Sequence, residues 1–249
     1  MVFAAFGEGV SMSIISSTAR PLSYLVRFFY LWRMPANTSH TVENYLKAIF
    51  HLSGGESERV STTQIAEHQG VKSSTVTDMI RKLEEQQWVE YTKYQGVTLT
   101  EKGRSIALTI IRKHRLWEVF LVETLGFSWD EVHEIAEQLE HIESEKLVNR
   151  LDDFLGNPKV DPHGDPIPDK TGFMDRPEHR LLSTLLAGEK ARVVGVTEDE
   201  PSLLNFLAQQ GLQLKTQLQV SSVLDFDHSM ILEVDDRLIS VSNKVASHI

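Results

Sequence analysis

Residues 60–100 read VSTTQIAEHQGVKSSTVTDMIRKLEEQQWVEYTKYQGVTLT, and their punctuation decides the architecture of the first half of the chain. Val60 is a short strand residue. Ser61-Thr62-Thr63 is a helix entry and Gly70 a stop, which predicts a short helix between them. Val71-Lys72-Ser73-Ser74 turns into a second helix over Thr75–Gln87, with Val76, Met79, Ile80 and Leu83 as its apolar stripe. Trp88–Tyr91 and Val97–Thr100 alternate as strands around Lys93-Tyr94-Gln95-Gly96. Upstream, residues 39–52 (SHTVENYLKAIFHL) carry a polar cap and helically spaced apolar positions, and Ser53-Gly54-Gly55 ends them. Helix, short helix, turn, helix and hairpin make a winged helix-turn-helix. The second helix opens with short polar side chains suited to a major groove. Lys72, Ser73, Ser74, Thr75, Thr77 and Asp78 are therefore expected to face base edges or phosphates of double-stranded DNA. Lys93 and Tyr94 stand at the wing tip, where backbone contact is expected. Ser74 could equally serve as a helix cap.

Beyond this segment the chemistry changes. Residues 101–125 resume an amphipathic helix, and residues 128–155 read as a further one. Between Arg115 and Lys146 lie thirty residues with nine acids and no Lys or Arg. His114 precedes Glu118 by four residues, and His133, Glu137, Glu140 and His141 follow at i, i+4, i+7 and i+8. On one helix the last four fall within about 100° of arc. Imidazoles and carboxylates converging without a basic partner suggest that the missing positive charge is a divalent metal. Val132, Ile135, Ala136, Leu139 and Ile142 fall on the other side, so a solvated face is the plain alternative.

Composition narrows the choices. The 249 residues carry a net charge of −10, and residues 114–155 hold eleven acids against three bases. Residues 34–113 are nearly balanced, nine against ten, so any nucleic-acid contact belongs there. With no cysteine there is no disulfide framework and no thiolate site; a metal site must use N and O donors. The leader segment PLSYLVRFFYLW is too short to span a bilayer and is interrupted by Arg27. Met34 is followed by a helix-entry pattern, so the native start is expected there and residues 1–33 are expected to be a non-native upstream extension or a disordered leader.

Gly156 to Pro177 contains five prolines and reads as a semi-rigid linker. After Leu181 the pattern turns β: Ala191–Val196, Gln217–Leu224 and Met230–Val241, the last folded at Asp235-Asp236. A helix over Ser202–Gln210 interrupts them and ends at Gly211. This suggests a small SH3-like barrel. The expected fold is mainly α with small β parts. Its divisions are a leader (1–33), a winged helix-turn-helix (34–104), a helical domain (105–155), a linker (156–179) and the barrel (180–249).

These residues resemble the diphtheria-toxin-repressor and manganese-transport-regulator family of metal-dependent repressors. The likeness is carried by Glu43-Asn44-Tyr45-Leu46-Lys47-Ala48-Ile49, Ser74-Thr75-Val76-Thr77, Leu99-Thr100-Glu101-Lys102-Gly103, Arg112-Lys113-His114-Arg115-Leu116, Val132-His133 and Glu140-His141. The linker piece Asp161-Pro162-His163-Gly164-Asp165-Pro166-Ile167-Pro168 is also similar. The resemblance implies an effector site from Asn44, Glu137, Glu140 and His141. It implies a second site from His114, Glu118 and His133, completed by Glu200 of the barrel, with Glu198 and Asp199 close enough to compete. The His114 position can belong to either site. The toxin-repressor type has a sulfur ligand at the Glu137 position; a carboxylate is harder and favours Mn(II), with Fe(II) as the close competitor. Manganese-type members carry an acid where this chain has Asn44. One turn later stands Lys47, which is not a ligand.

The resemblance further implies a homodimer whose interface lies in residues 105–150, which carries a C-terminal SH3-like (FeoA-like) domain and represses metal-uptake genes; a cytoplasmic location is expected. Two rivals remain. One is a winged-helix regulator indifferent to metal. The other is a metallohydrolase, because His133-Glu134-Ile135-Ala136-Glu137 holds the first half of H-E-x-x-H, although no base or nucleophile accompanies it.

Overall fold

A computed structural model describes residues 38–55, 58–175 and 178–249. The expected leader, 1–33, lies outside the described residues. Ser39 caps helix α1 (His40–Leu52), which buries Tyr45, Leu46, Ala48, Ile49 and Phe50 on one face. Helix α2 (Thr62–Gln69) opens with a capping box: the Ser61 side chain accepts from Gln64 N while Gln64 Oε1 accepts from Ser61 N. Two backbone N–H groups that the first turn would leave orphaned are thereby satisfied. Helix α3 (Ser73–Glu85) starts two residues earlier than the sequence pattern suggested. Its N-cap is Lys72, without a side-chain cap, so Ser74 lies inside the first turn.

The wing is formed by β1 (Val89–Thr92) and β2 (Gly96–Leu99), antiparallel, with Thr92 opposite Gly96. Val60 adds a bridge to Val97. Gly96 has φ +110, and a Cβ there would sit 2.5 Å from Val60 O, so this third segment can pair only against glycine.

Helix α4 (Glu101–Glu123) is the spine. Its 23 residues span about 35 Å at 1.5 Å per residue, from the wing into the helical domain. The expected single acidic helix over 128–155 is instead two: α5 (Val132–Leu139) and α6 (Glu145–Phe154). Glu140 is the C-cap of α5, and Ser144 caps α6 by accepting from Leu147 N. The local cap wins over the continuing periodicity. Leu116, Val119, Val132, Ala136, Val148 and Leu151 form the core of this domain.

The proline-rich segment is strapped to α4 by two arginines. Arg112 donates to Asp152 (2.6 Å) and Pro168 O (2.9 Å), and Arg115 to Asp165 (2.8 Å) and Pro166 O (2.6 Å). The C-terminal unit is a four-stranded antiparallel sheet in the order β3 (Lys190–Arg192), β4 (Gln217–Val223), β5 (Met230–Val234), β6 (Arg237–Val241). Asp235 and Asp236, both at positive φ, make the two-residue turn between β5 and β6. Helix α7 (Pro201–Gln210) and the short α8 (Asn243–Ala246) complete this SH3-like domain. Trp129, from the α4–α5 loop, inserts into its core beside Leu204, Leu207 and Leu232. Among the described residues no helix is long and apolar enough to cross a membrane.

Candidate metal centre

Glu118 is the hub of the site. It sits one turn beyond His114 on the buried face of α4 and is only 2% exposed. A carboxylate so far from water must be paired. Its Oε1 accepts from His114 Nε2 at 3.0 Å and lies 3.7 Å from His133 Nδ1, while Oε2 is 3.7 Å from His163 Nδ1. Donor atoms of His114, Glu118 and His133 lie within 4.8 Å of one another, and so do those of Glu118, Asp161 and His163. From the barrel, Asp199 Oδ2 reaches His133 Nδ1 at 3.0 Å.

The loop that brings in Asp161 and His163 is tightly built. Asp161 Oδ1 accepts from the N–H of His163 (2.8 Å) and of Asp165 (3.0 Å). Gly164 has φ +96 and a Cβ there would meet Val194 O at 2.2 Å, so the loop can press against the barrel only through glycine. His163 Nε2 donates to Trp129 O at 2.8 Å, which fixes its tautomer and leaves Nδ1 facing Glu118.

Glu140 centres a second cluster. It is fully buried, accepts from Lys47 Nζ on both oxygens (2.7 and 2.8 Å), and its Oε2 lies 2.6 Å from His114 Nδ1. Glu137 Oε1 is 3.4 Å from the same ammonium and 3.6 Å from His133 Nε2. His141 donates from Nδ1 to Glu43 at 2.6 Å and stacks on His40, ring centroids 4.1 Å apart. Asn44 Oδ1 is buried with no hydrogen-bond partner. His114 joins the two clusters, one ring nitrogen on each carboxylate.

Electrostatics show what the clusters lack. Asp199, with Glu118 and Glu137, pushes His133 up to about 12. Burial works against protonated His163, but Glu118 and Asp161 carry it up to about 9. Burial also opposes the charged form of Glu118, yet hydrogen bonds from His114, His133 and His163 hold it well below the usual carboxylate range. Burial, reinforced by the charge of Glu118, lifts Asp161 to about 7 despite Arg115. Carboxylates facing imidazoles in a buried cluster thus favour the cationic form of each histidine, an environment that suits a cation.

Both clusters fit a divalent cation by the chemistry of their donors. The first offers imidazole and carboxylate atoms converging on Glu118. The second already holds a stand-in cation, the Lys47 ammonium, and three residues before Lys47 on α1 the buried Asn44 Oδ1 has no hydrogen-bond partner.

Of the residues expected from the sequence, His114, Glu118 and His133 come together. Glu137, Glu140 and His141 lie side by side, with His141 Nε2 3.9 Å from Glu140 Oε1. Glu200 is not brought in: as N-cap of α7 it accepts from Leu203 N and Ser202 Oγ and is exposed, and Asp199 stands beside His133 instead. Sequence reasoning assigned no role to Asp161, His163, Glu43 or the ammonium of Lys47. A histidine and an aspartate inside a proline-rich turn were the available signal for the first two. Of the half-motif His133-Glu134-Ile135-Ala136-Glu137, His133 and Glu137 lie in the clusters, whereas Glu134, at the position of a hydrolase's general base, is exposed and outside both.

On the DNA-binding part, Lys72, Ser73, Ser74, Thr75 and Asp78 are exposed along the start of α3, and Asp78 lies 3.6 Å from Arg81. Thr77 is half-buried and donates to Ser73 O. Tyr94 is 92% exposed at the wing tip, with Lys93 Nζ 5.0 Å from its ring centroid.

Residues 37–97 match the N-terminal DNA-binding domain of iron-dependent repressors, residues 100–169 their metal-binding and dimerisation domain, and residues 180–249 the FeoA domain. The chain is 38% identical over 130 residues to the iron-dependent repressor IdeR of Mycobacterium tuberculosis, an alignment covering 51% of this chain and 55% of that one. The chain thus spans about half the length of these curated relatives. It is 34% identical over 122 residues to the HTH-type transcriptional regulator MntR of Oceanobacillus iheyensis, covering 49% of this chain and 81% of that one. A solved manganese-dependent transcriptional repressor in complex with manganese superposes with a TM-score of 0.75 at 38% identity, over 84% of this chain and 97% of the other. The chain belongs to the iron-dependent repressor family, whose diphtheria-toxin-repressor and manganese-transport-regulator branches are metal-dependent repressors.

Proposed function

We propose that the chain is a cytoplasmic, homodimeric repressor of metal-uptake genes that binds operator DNA when loaded with Mn(II), Fe(II) being the close competitor. One observation carries this reading. Buried Glu140 joins α1 of the DNA-binding part, through Lys47, to α4 of the helical domain, through His114, so the charge held at Glu140 governs how the two parts are tied.

Glu137, Glu140, His141 and the free oxygen of Asn44 would hold one ion. Glu118, His133, Asp161, His163 and Asp199 would hold another, with His114 shared. A bound ion supplies the fixed positive charge that protonated histidines otherwise provide. All of these donors are N or O, which supports a hard or intermediate divalent metal. The chain's own residues then set geometry. His163 is locked by Trp129 O, Asp161 by its loop N–H groups, and Asp199 links the barrel to His133.

DNA contact falls to Lys72, Ser73, Ser74, Thr75, Thr77 and Asp78 on α3 and to Lys93 and Tyr94 on the wing. In a dimer the two α3 helices would enter successive major grooves about 34 Å apart. Leu125, Leu147 and Phe154 lie exposed on the helical domain, which supports burial against a second copy.

Fluorescence anisotropy on labelled host promoter fragments, with Mn(II), Fe(II), Zn(II) or chelator, tests the reading. Binding should appear with Mn(II) and collapse with chelator. Operator binding that survives chelator unchanged would select a metal-independent regulator.

A further inference from the structure

We propose that Lys47 is a tethered competitor for the metal at the Glu137–Glu140 cluster and sets the metal concentration at which the protein responds. The proposal rests on the reading that this cluster holds a divalent ion.

Lys47 lies three residues beyond Asn44 on α1, so both side chains face the same way. Its ammonium donates to both oxygens of Glu140 and approaches Glu137 at 3.4 Å, with a side chain only 13% exposed. It therefore covers the lone pairs that a metal would use. Two cations cannot share them: at separations of a few ångströms in a partly buried site their repulsion far exceeds what water would allow. Loading the cluster requires the ammonium to leave. The flexible four-carbon stem permits this, and Lys47 borders a cavity of about 370 Å³ also lined by His51, His68, Glu137 and Asp199, which gives it room.

The exchange has a consequence for both states. Without metal, Glu140 is not left as an uncompensated buried charge, because Lys47 and His114 satisfy it. The metal-free chain thus stays folded, while every ion that binds displaces a favourable contact. The apparent affinity is reduced by the stability of the ammonium-bound form. At the Glu118 cluster no lysine among the described residues pairs with a carboxylate: Arg115, 3.4 Å from Asp161, is engaged with Asp165 and Pro166 O. Competition therefore acts on one cluster of the two.

The test uses the full chain and Mn(II) alone, with free Mn(II) followed by electron paramagnetic resonance. Lys47→Met should tighten one class of site at least tenfold and leave the other within twofold. Lys47→Arg, which keeps the charge, should remain close to the parent. Adding Glu137→Gln to Lys47→Met should remove the gain. Thermal unfolding with and without Mn(II) guards against a folding defect: the Mn(II)-induced rise in Tm should be larger for Lys47→Met than for the parent. Unchanged or weaker Mn(II) binding in Lys47→Met, or a gain that survives Glu137→Gln, overturns the role of Lys47 while leaving the metal-dependent reading intact. Absence of Mn(II) binding in the parent and in every variant overturns both.

Discussion

Glu140 shows how one side chain can serve folding and sensing together. Its carboxylate is fully buried and satisfied from two helices, by Lys47 of α1 and His114 of α4. Glu140→Ala removes the buried anion that Lys47 and His114 share and leaves them only Glu137 at 3.4 Å and Glu118 at 3.0 Å, so it should destabilise the metal-free chain by about 3 kcal/mol in urea titrations. Glu140→Gln keeps the shape and should cost less, yet lose Mn(II)-dependent operator binding in anisotropy. Operator binding by Glu140→Gln that still responds to Mn(II) would remove Glu140 from the effector set. At this scale the sequence was informative only where helices impose a period. His114 and Glu118, four apart on α4, could be paired from their spacing, and His133 with Glu137 likewise. Asp161, His163 and Asp199 sit in irregular backbone, where no period relates a residue to its spatial neighbours. From the sequence Glu200 was the expected ligand and Asp199 only its competitor, because only the turn into α7 decides which of two adjacent acids faces His133 and which caps the helix.

At the scale of elements, caps and breakers were decisive. The winged helix-turn-helix was readable because Ser61, Gly70 and Gly96 each force a local conformation that tertiary packing does not override. The acidic run misled for the opposite reason. Its apolar spacing continues through Ile142, but Ser144 supplies a cap that starts a new helix, and residues 140–144 leave the helical path. His141 is thereby turned toward Glu43 and α1, a contact that a continuous helix would not produce from spacing alone. Helix α3 invites a test of its own. Lys72 is its N-cap residue but makes no side-chain cap bond, so its side chain is free for phosphate. Lys72→Ala should weaken operator binding, reduce the slope of log K against log salt by about one, and leave Mn(II) uptake unchanged. An unaltered salt slope, measured by anisotropy between low and moderate salt, would place Lys72 away from the DNA.

For the molecule as a whole, the question is what the barrel adds to the proposed repressor. With a net charge of −10, the chain must present its few basic side chains in one fixed orientation for DNA binding to outweigh general repulsion. Four parts meet at the candidate metal clusters. Lys47 and Glu43 come from α1; His114, Glu118, His133 and Glu140 from the helical domain; Asp161 and His163 from the proline-rich segment; and Asp199 from the barrel, which is also pinned by Trp129 and by the bond from Val196 N to His163 O at 2.9 Å. Contacts thus run from the barrel to the Glu118 cluster through Asp199 and His133, and from that cluster to Glu140 through His114. Asp199→Ala removes a proposed ligand and should weaken Mn(II) at the Glu118 cluster by more than the about 10–100-fold that loss of a ligand's supporting partner costs. Because the two clusters share His114, the factor by which Mn(II) tightens operator binding should fall as well, and by reciprocity so should the effect of operator on Mn(II) affinity. Glu200→Ala removes only a helix cap and should leave both factors unchanged. Paired Mn(II) titrations of the two variants, with and without operator, decide the matter. If Glu200→Ala loses Mn(II) and Asp199→Ala does not, the barrel is joined to the sensor by the neighbouring residue, and the chain of contacts from Asp199 through His133 to Glu118 does not carry the coupling.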